Sequence, residues 1–387
     1  MVAQLAKLKP TEEPLNARAV RIKRLDALLI AVPLKQPMKM AGVTISHVEN
    51  LLIRLEGSDS TVGWGEAASA PNMTGDTPRS LLAAAEIIRE TVQGADLRFR
   101  PTVMERIGRA LYGNSGAKSA FELAMLDLIG RIHGISAVEL LGGRRRAAVE
   151  PMWLIGNATV EQDAADAAAR CREGFRSFKL KIASKTIEQD IEAAHQVRKA
   201  LGPDARLCAD ANGGLTLEAA RRFVTEAADA HIQFLEQPLP PHAISGMAAL
   251  QALGIMAIGA DEGIHSVEDV EASAGRNAIA GLSLKLIKLG GASALLQTAR
   301  RAHDLGLSIN IAGKVAETSL ASAATAQLAC AVENVDWGIS LSQVYLAEDI
   351  VKQPLAMADG LISPPDGPGF GVEVDEGAVR RFQTSTL

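Results

Sequence analysis

Five short β-rich runs of this 387-residue chain carry charge where a buried strand should be apolar. They are Phe178-Lys179-Leu180-Lys181-Ile182, Cys208-Ala209-Asp210-Ala211-Asn212, Phe234-Leu235-Glu236-Gln237-Pro238, Gly259-Ala260-Asp261-Glu262 and Leu284-Lys285-Leu286. The positions Lys179, Asp210, Glu236, Asp261 and Lys285 follow one another at 31, 26, 25 and 24 residues, about the length of one strand-loop-helix-loop unit. A unit repeated at that length, with charge at each strand end, confines the chain to alternating β/α architectures.

The number of runs narrows the choice. After residue 149 eight β-rich runs occur, at 150–155, 177–182, 207–211, 233–237, 256–261, 281–286, 307–311 and 335–338, the last of them weak. Ala-rich helical patterns, such as 186–201, 217–230 and 292–305, separate most of them. Eight alternations predict a parallel (β/α) barrel of the TIM type in modified form. A doubly wound sheet would want a Gly-rich phosphate loop after an early strand, and the sequence has none. Before the barrel, alternating apolar positions at 25–30, 48–55 and 62–66 predict an antiparallel meander, followed by helices at about 77–91, 102–111 and 117–133. Strands followed by helices read as an α+β capping domain. Glycines and prolines after residue 356 read as a connector returning to it. The predicted organisation is an extension over 1–20, a cap from 21–145 plus 357–387, and a barrel over 146–356.

Composition excludes several function classes. A net charge of −5 without a Lys/Arg block argues against nucleic acid. No uncharged stretch reaches membrane-spanning length and the start lacks a signal-peptide core, so a cytoplasmic protein acting on a small carboxylate is expected. Cys171, Cys208 and Cys330 lie far apart and read as reduced packing residues. The outer helices of such a barrel commonly assemble, and a homo-oligomer is expected.

The charged positions form a chemical pattern. Alternate strand residues share a face, so Lys179 and Lys181 point into the barrel while Phe178, Leu180 and Ile182 face the helices. Adjacent ammonium groups repel, which is expected to lower the pKa of at least one and give a base near neutrality. Three carboxylates, Asp210, Glu236 and Asp261, are expected to converge around a cation. Oxygen-only donors select a hard divalent ion, Mg²⁺ with Mn²⁺ as the alternative. Lys285 then arrives from the far side, so that one lysine abstracts a proton α to a carboxylate and the other shields or returns one. Asn212 and Glu262 are expected to support the ligands, Glu317 to touch substrate, tune the site or simply cap a helix, and Lys288 to serve packing or a loop contact.

Together these motifs resemble the enolase superfamily and, within it, the muconate-lactonizing subgroup. The resemblance runs from about residue 21 through nearly all of the chain. It rests on Gly63-Trp64-Gly65-Glu66, Leu140-Leu141-Gly142-Gly143, Lys179-x-Lys181, Asp210-Ala211-Asn212, Glu236-Gln237-Pro238, Asp261-Glu262, and Lys285 ahead of Lys288-Leu289-Gly290-Gly291. It implies Mg²⁺ on Asp210, Glu236 and Asp261, acid/base roles for Lys181 and Lys285, and Lys179 tuning Lys181. It also implies that cap segments 38–47, Met38 among them, and 67–77 close over substrate. The mandelate-racemase branch carries a histidine where this chain has Asn310-Ile311-Ala312-Gly313-Lys314, and dipeptide epimerases carry Asp-x-Asp where it has Val335-Asp336-Trp337-Gly338. Trp337-Gly338 with Leu341 and Leu346 is more similar to the cycloisomerases, which makes Trp337 a candidate substrate contact. The Met-Leu-Glu common in those enzymes is Val315-Ala316-Glu317 here. The expected reaction is therefore a muconate-type cycloisomerisation through an enediolate. A racemase, epimerase or dehydratase of an amino acid or its N-acyl derivative is the alternative, and a binding or scaffold protein with a relic site is the non-enzymatic one.

Overall fold

The computed structural model describes residues 20–386 apart from 41, 42, 157 and 316. The expected extension over 1–20 therefore lies almost entirely outside the described residues, as do Ala41 and Gly42 of the expected lid segment. The cap opens with strands β1 (Ile22–Met40), β2 (Val43–Gly57) and β3 (Val62–Ala68), an antiparallel meander. Of the segment 38–47, expected to close over substrate, residues 38–40 and 43–47 belong to the β1–β2 hairpin, and Met38 pairs with Ile45.

Helix Ser115–His133 packs on β3 so closely that two glycines of the Gly-Trp-Gly-Glu motif are explained by sterics. A Cβ on Gly63 would stand 2.3 Å from the Leu128 nitrogen, and one on Gly65 2.0 Å from the Ala120 carbonyl oxygen. Between them the Trp64 N–H donates to the buried Asp127 carboxylate at 2.9 Å.

Eight parallel strands follow: β4 (Met152–Ile155), β5 (Ser177–Lys181), β6 (Arg206–Asp210), β7 (Phe234–Glu236), β8 (Ala257–Ala260), β9 (Gly281–Leu284), β10 (Ser308–Ala312) and β11 (Ile339–Ser340). They lie in chain order, and a parallel bridge between Pro151 and Ile339 joins the first to the last, so the sheet closes into a barrel. Helices follow the first seven strands, whereas a 3₁₀ turn at Gln343–Tyr345 follows β11. Threonine side chains at 159, 186, 216 and 318 accept N–H bonds at the starts of four of these helices, satisfying donors that the helix itself leaves open. The last strand, β12 (Gln383–Thr386), returns to pair with β1. The fold is thus an α/β barrel with an antiparallel-sheet cap.

The eighth run is displaced from its expected position. Residues 335–338 form a turn, closed by a Gly338 N–H to Val335 carbonyl bond of 2.9 Å, and the strand begins at Ile339. Trp337 lies in that turn. Its ring stacks on Phe234 at 3.9 Å and lies where a Cβ on Gly259 or Gly281 would stand 2.8 or 2.6 Å from it. Two strands thus omit a side chain to make room for one indole, which fills the end of the barrel where the strands begin.

Candidate active site

The opposite end holds the charge. Strand alternation works as expected on β5: Phe178 and Leu180 are buried among the helices, while Lys179 and Lys181 line a cavity of about 340 Å³ between barrel and cap. Asp210, Asn212, Glu236, Glu262 and Lys285 line it too, with Lys314 and Ser340 from the seventh and eighth strand ends. The cap contributes Ile45, His47, Ser69, Pro71, Asn72 and Met73, so both expected lid segments reach the cavity. Met38 does not line it. Its half-buried side chain packs against the main hydrophobic core. Trp337 does not line the cavity either: it is buried with Phe234 and Met152 at the other end of the barrel. Glu317 is buried behind the cavity wall, its backbone N–H on Ser342 Oγ at 2.9 Å.

Each expected metal-binding carboxylate is taken by lysine. Lys179 Nζ bonds Glu236, Lys181 Nζ bonds Asp210, and Lys285 Nζ bonds Asp261. Lys288 also reaches Asp261, donating to Oδ1 at 2.6 Å and to the Ser283 carbonyl at 3.0 Å. Asn212 ties the cluster together: it accepts from Lys181 at 2.9 Å and donates through Nδ2 to Glu262 at 2.9 Å and through its backbone N–H to Asp210 at 2.9 Å. Gln237, buried beside Glu236, accepts from the Asp261 N–H at 2.8 Å and the Gly263 N–H at 3.2 Å and fixes the neighbouring strand end.

Lys288, expected to serve packing or a loop contact, is instead an ion-pair partner of Asp261, and Gln237, given no role from the sequence, positions the neighbouring strand end. Lys285 ends the extended run and starts a helical turn, Leu286–Leu289, so Lys288 lies three residues on and under the same face. The signal was present in Gly290-Gly291, which stops the turn with Gly290 at φ +86°.

Proton affinities follow the pairing. Burial works against the Lys179 ammonium, yet the Glu236 and Asp210 carboxylates more than offset it, and its pKa lies above the ordinary lysine value. At Lys179 lysine repulsion does not prevail, because the nearest charge is a carboxylate. Lys285 is raised in the same way, burial being outweighed by Asp261 and Glu262. Glu236 is raised by burial and, despite Lys179, by Asp210 and Asp261. Glu262 is pushed up to about 7 by burial and by Asp261 and Asp210.

These observations test whether the carboxylates suit a cation. Asp210 and Glu236 are direct partners in register on neighbouring strands, and Asp261 follows the next. As they stand, among the described residues no three Asp, Glu, His or Cys groups are gathered tightly enough to hold an ion, because each carboxylate is drawn onto a lysine. Glu236 Oε1 is nevertheless buried without a hydrogen-bond partner, and Glu236 is crowded by two other carboxylates. A buried carboxylate oxygen with no hydrogen-bond donor is free to take a cation as its partner. The donor set, all carboxylate oxygen, fits a hard divalent ion.

Family models place the chain. One described as "Enolase C-terminal domain-like" matches residues 162–378, and one described as "Mandelate racemase / muconate lactonizing enzyme, N-terminal domain" matches residues 24–142. This chain belongs to the enolase superfamily. Within it, the similarity is to the muconate-lactonizing subgroup. Muconate cycloisomerase 1 of Pseudomonas putida is 30% identical over 371 residues, 94% of this chain and 99% of that protein. L-Ala-D/L-Glu epimerase of Bacillus subtilis is 28% identical over 91% of this chain and 97% of its own. The crystal structure of a muconate lactonizing enzyme from Pseudomonas fluorescens complexed with muconolactone superposes with a TM-score of 0.91 at 28% identity, over 95% of this chain and all of that one. An enolase-superfamily isomerase is therefore an enzyme, and the relic-scaffold alternative is set aside. Among its described residues no helix is long and apolar enough to cross a membrane.

Proposed function

We propose that the protein removes the proton α to a carboxylate of a small organic acid, as a muconate-type cycloisomerase interconverting an unsaturated diacid and its lactone. The observation that carries this reading is the placement of Lys181 and Lys285 in one cavity, on the second and sixth strands of an eight-stranded barrel, with three carboxylate-bearing strand ends between them. Strands four apart in such a ring face each other, so the two ammonium groups approach a substrate from opposite sides.

Asp210, Glu236 and Asp261 would hold Mg²⁺, with Mn²⁺ as the alternative. When bound, the ion supplies positive charge against the substrate carboxylate and the enediolate formed from it. Lys181 holds the α-proton at Nζ, steered by Asp210 and Asn212. Lys285 presents Nζ at the other face. Lys179, bonded to Glu236, fixes that carboxylate and adds positive field, while the cap residues exclude water. The name of the subgroup's relatives and the muconolactone in the superposed structure support the cycloisomerase assignment.

The epimerase relative favours a second reading, in which the same lysines epimerise an amino acid derivative. Exchange in D₂O with Mg²⁺ and muconolactone separates the two. Deuterium should enter the α-carbon with formation of the diacid, and Lys181→Ala should slow exchange by about 10²- to 10⁴-fold. Exchange at wild-type rate in Lys181→Ala and Lys285→Ala alike would sink the proposal; exchange without lactone opening, on an N-acyl amino acid, would assign epimerisation.

A further inference from the structure

Four lysines line the cavity, and three of them are paired. Lys179, Lys181 and Lys285 each meet a carboxylate. Lys314, two residues past β10, lines the same cavity but among the described residues has no carboxylate within ion-pair distance, and its Nζ donates there to the Val315 carbonyl at 3.3 Å. We propose that Lys314 receives the second carboxylate of the diacid, which makes it a specificity-determining residue of this site. The proposal rests on the α-proton reading above, because that reading turns the first carboxylate toward the Mg²⁺ that Asp210, Glu236 and Asp261 would hold.

Burial brings the Lys314 ammonium down to about 8, with Lys285 adding to the effect. It is still cationic at neutral pH and faces the cavity without a carboxylate partner among the described residues, so an anion there would find an unpaired charge. Glu317 does not complete it. That carboxyl is itself pushed up to about 8 by burial and by Glu66, and so is mostly uncharged in the same pH range. The placement around the ring supplies the geometry. Lys314 stands one strand beyond Lys285, on the side away from the three carboxylates. A substrate anchored by one carboxylate on the carboxylate side and extending across the barrel mouth brings its far end to the seventh strand.

Binding of adipate and of hexanoate, acids of equal length with two charges and one, tests this by calorimetry on the Mg²⁺-supplemented protein. Wild type should prefer adipate by at least about tenfold, the usual scale of a hydrogen bond to a charged group. Lys314→Met should bring adipate down to the hexanoate level while leaving hexanoate within about twofold, and Lys314→Arg should keep the preference. Should the methionine variant fail to fold, Lys314→Gln serves in its place. Equal wild-type affinity for the two acids, a preference surviving in Lys314→Met, or an equal loss for both acids would overturn the proposal. Muconolactone exchange is scored separately: its absence in wild type strikes the reaction proposed above and leaves the adipate preference to be judged alone.

Discussion

At the scale of single residues, Glu317 shows how burial becomes a pH dependence. Its carboxyl is held near 8 against an ordinary value of 4.5, by burial first and by the Glu66 carboxylate second. The folded protein therefore binds a proton there that the unfolded chain releases, and stability falls as pH rises between those two values. The contribution is full below about 4.5 and lost as pH passes through about 8. Glu317→Gln keeps the shape and removes the titration, so wild type should lose stability relative to the variant across that window, on the order of a few kcal/mol. Urea midpoints of both proteins from pH 5 to 8.5 measure it, and parallel curves would refute it. The Glu317 carboxylate was visible in the sequence, but its neighbour Glu66 arrives from 251 positions away in the cap, and no local pattern announces that approach. Lys181, Asp210, Glu236, Asp261 and Lys285 were legible for the opposite reason. Each obeys the period of its own strand, and the repeat places all five at one end.

At the scale of elements, sequence reading succeeded where a segment's own periodicity decides its structure and failed where another segment does. Lys288 falls out of phase with a strand because the chain has already become a helical turn. Trp337 follows neither period, since its place is set by the glycines at 259 and 281 on two other strands. The Gly63 and Gly65 positions are the cap's version of the same effect, and they yield a paired prediction. In Gly65→Ala the new methyl meets the Ala120 carbonyl at 2.0 Å, which forces β3 away from helix Ser115–His133 and should cost about 3 kcal/mol or more. Gly108→Ala makes the same chemical change inside helix Arg100–Ala110, where nothing lies within 4 Å, and should stabilise by up to about 1 kcal/mol. Opposite shifts of the two urea midpoints are expected. A neutral Gly65→Ala would mean that β3 and the helix are not locked by backbone contact.

At the scale of the molecule, barrel and cap divide the work, and buried carboxylates join them, Glu122 at Ser293 and Glu66 at a helix start. Glu66 accepts from Asn50 Nδ2 at 2.6 Å within the cap. It also accepts from the Thr318 and Ala321 N–H groups at 2.9 and 3.1 Å, at the start of barrel helix Ser319–Ala331. Placing the carboxylate against the open N–H groups of a helix start uses the favourable end of its dipole. Near the barrel mouth, His265 Nε2 meets the Met73 carbonyl at 3.0 Å, so the loop after β8 touches the cap segment that roofs the cavity. The floor of the cavity thus consists of barrel lysines and carboxylates, and its roof of cap side chains such as Ile45, His47 and Met73. That division has a measurable consequence. Joint replacement of His47 and Met73 by alanine removes roof contacts without touching a carboxylate, so the muconolactone KM should rise by about tenfold while the Mg²⁺ Kd stays within about twofold. Replacing Glu236 by glutamine should do the reverse, weakening Mg²⁺ while the free protein keeps its roof. If the roof variant lost Mg²⁺ affinity and kept its KM, cap and floor would be one site rather than two, and the three carboxylates would depend on the cap for their arrangement rather than on the register of the barrel strands.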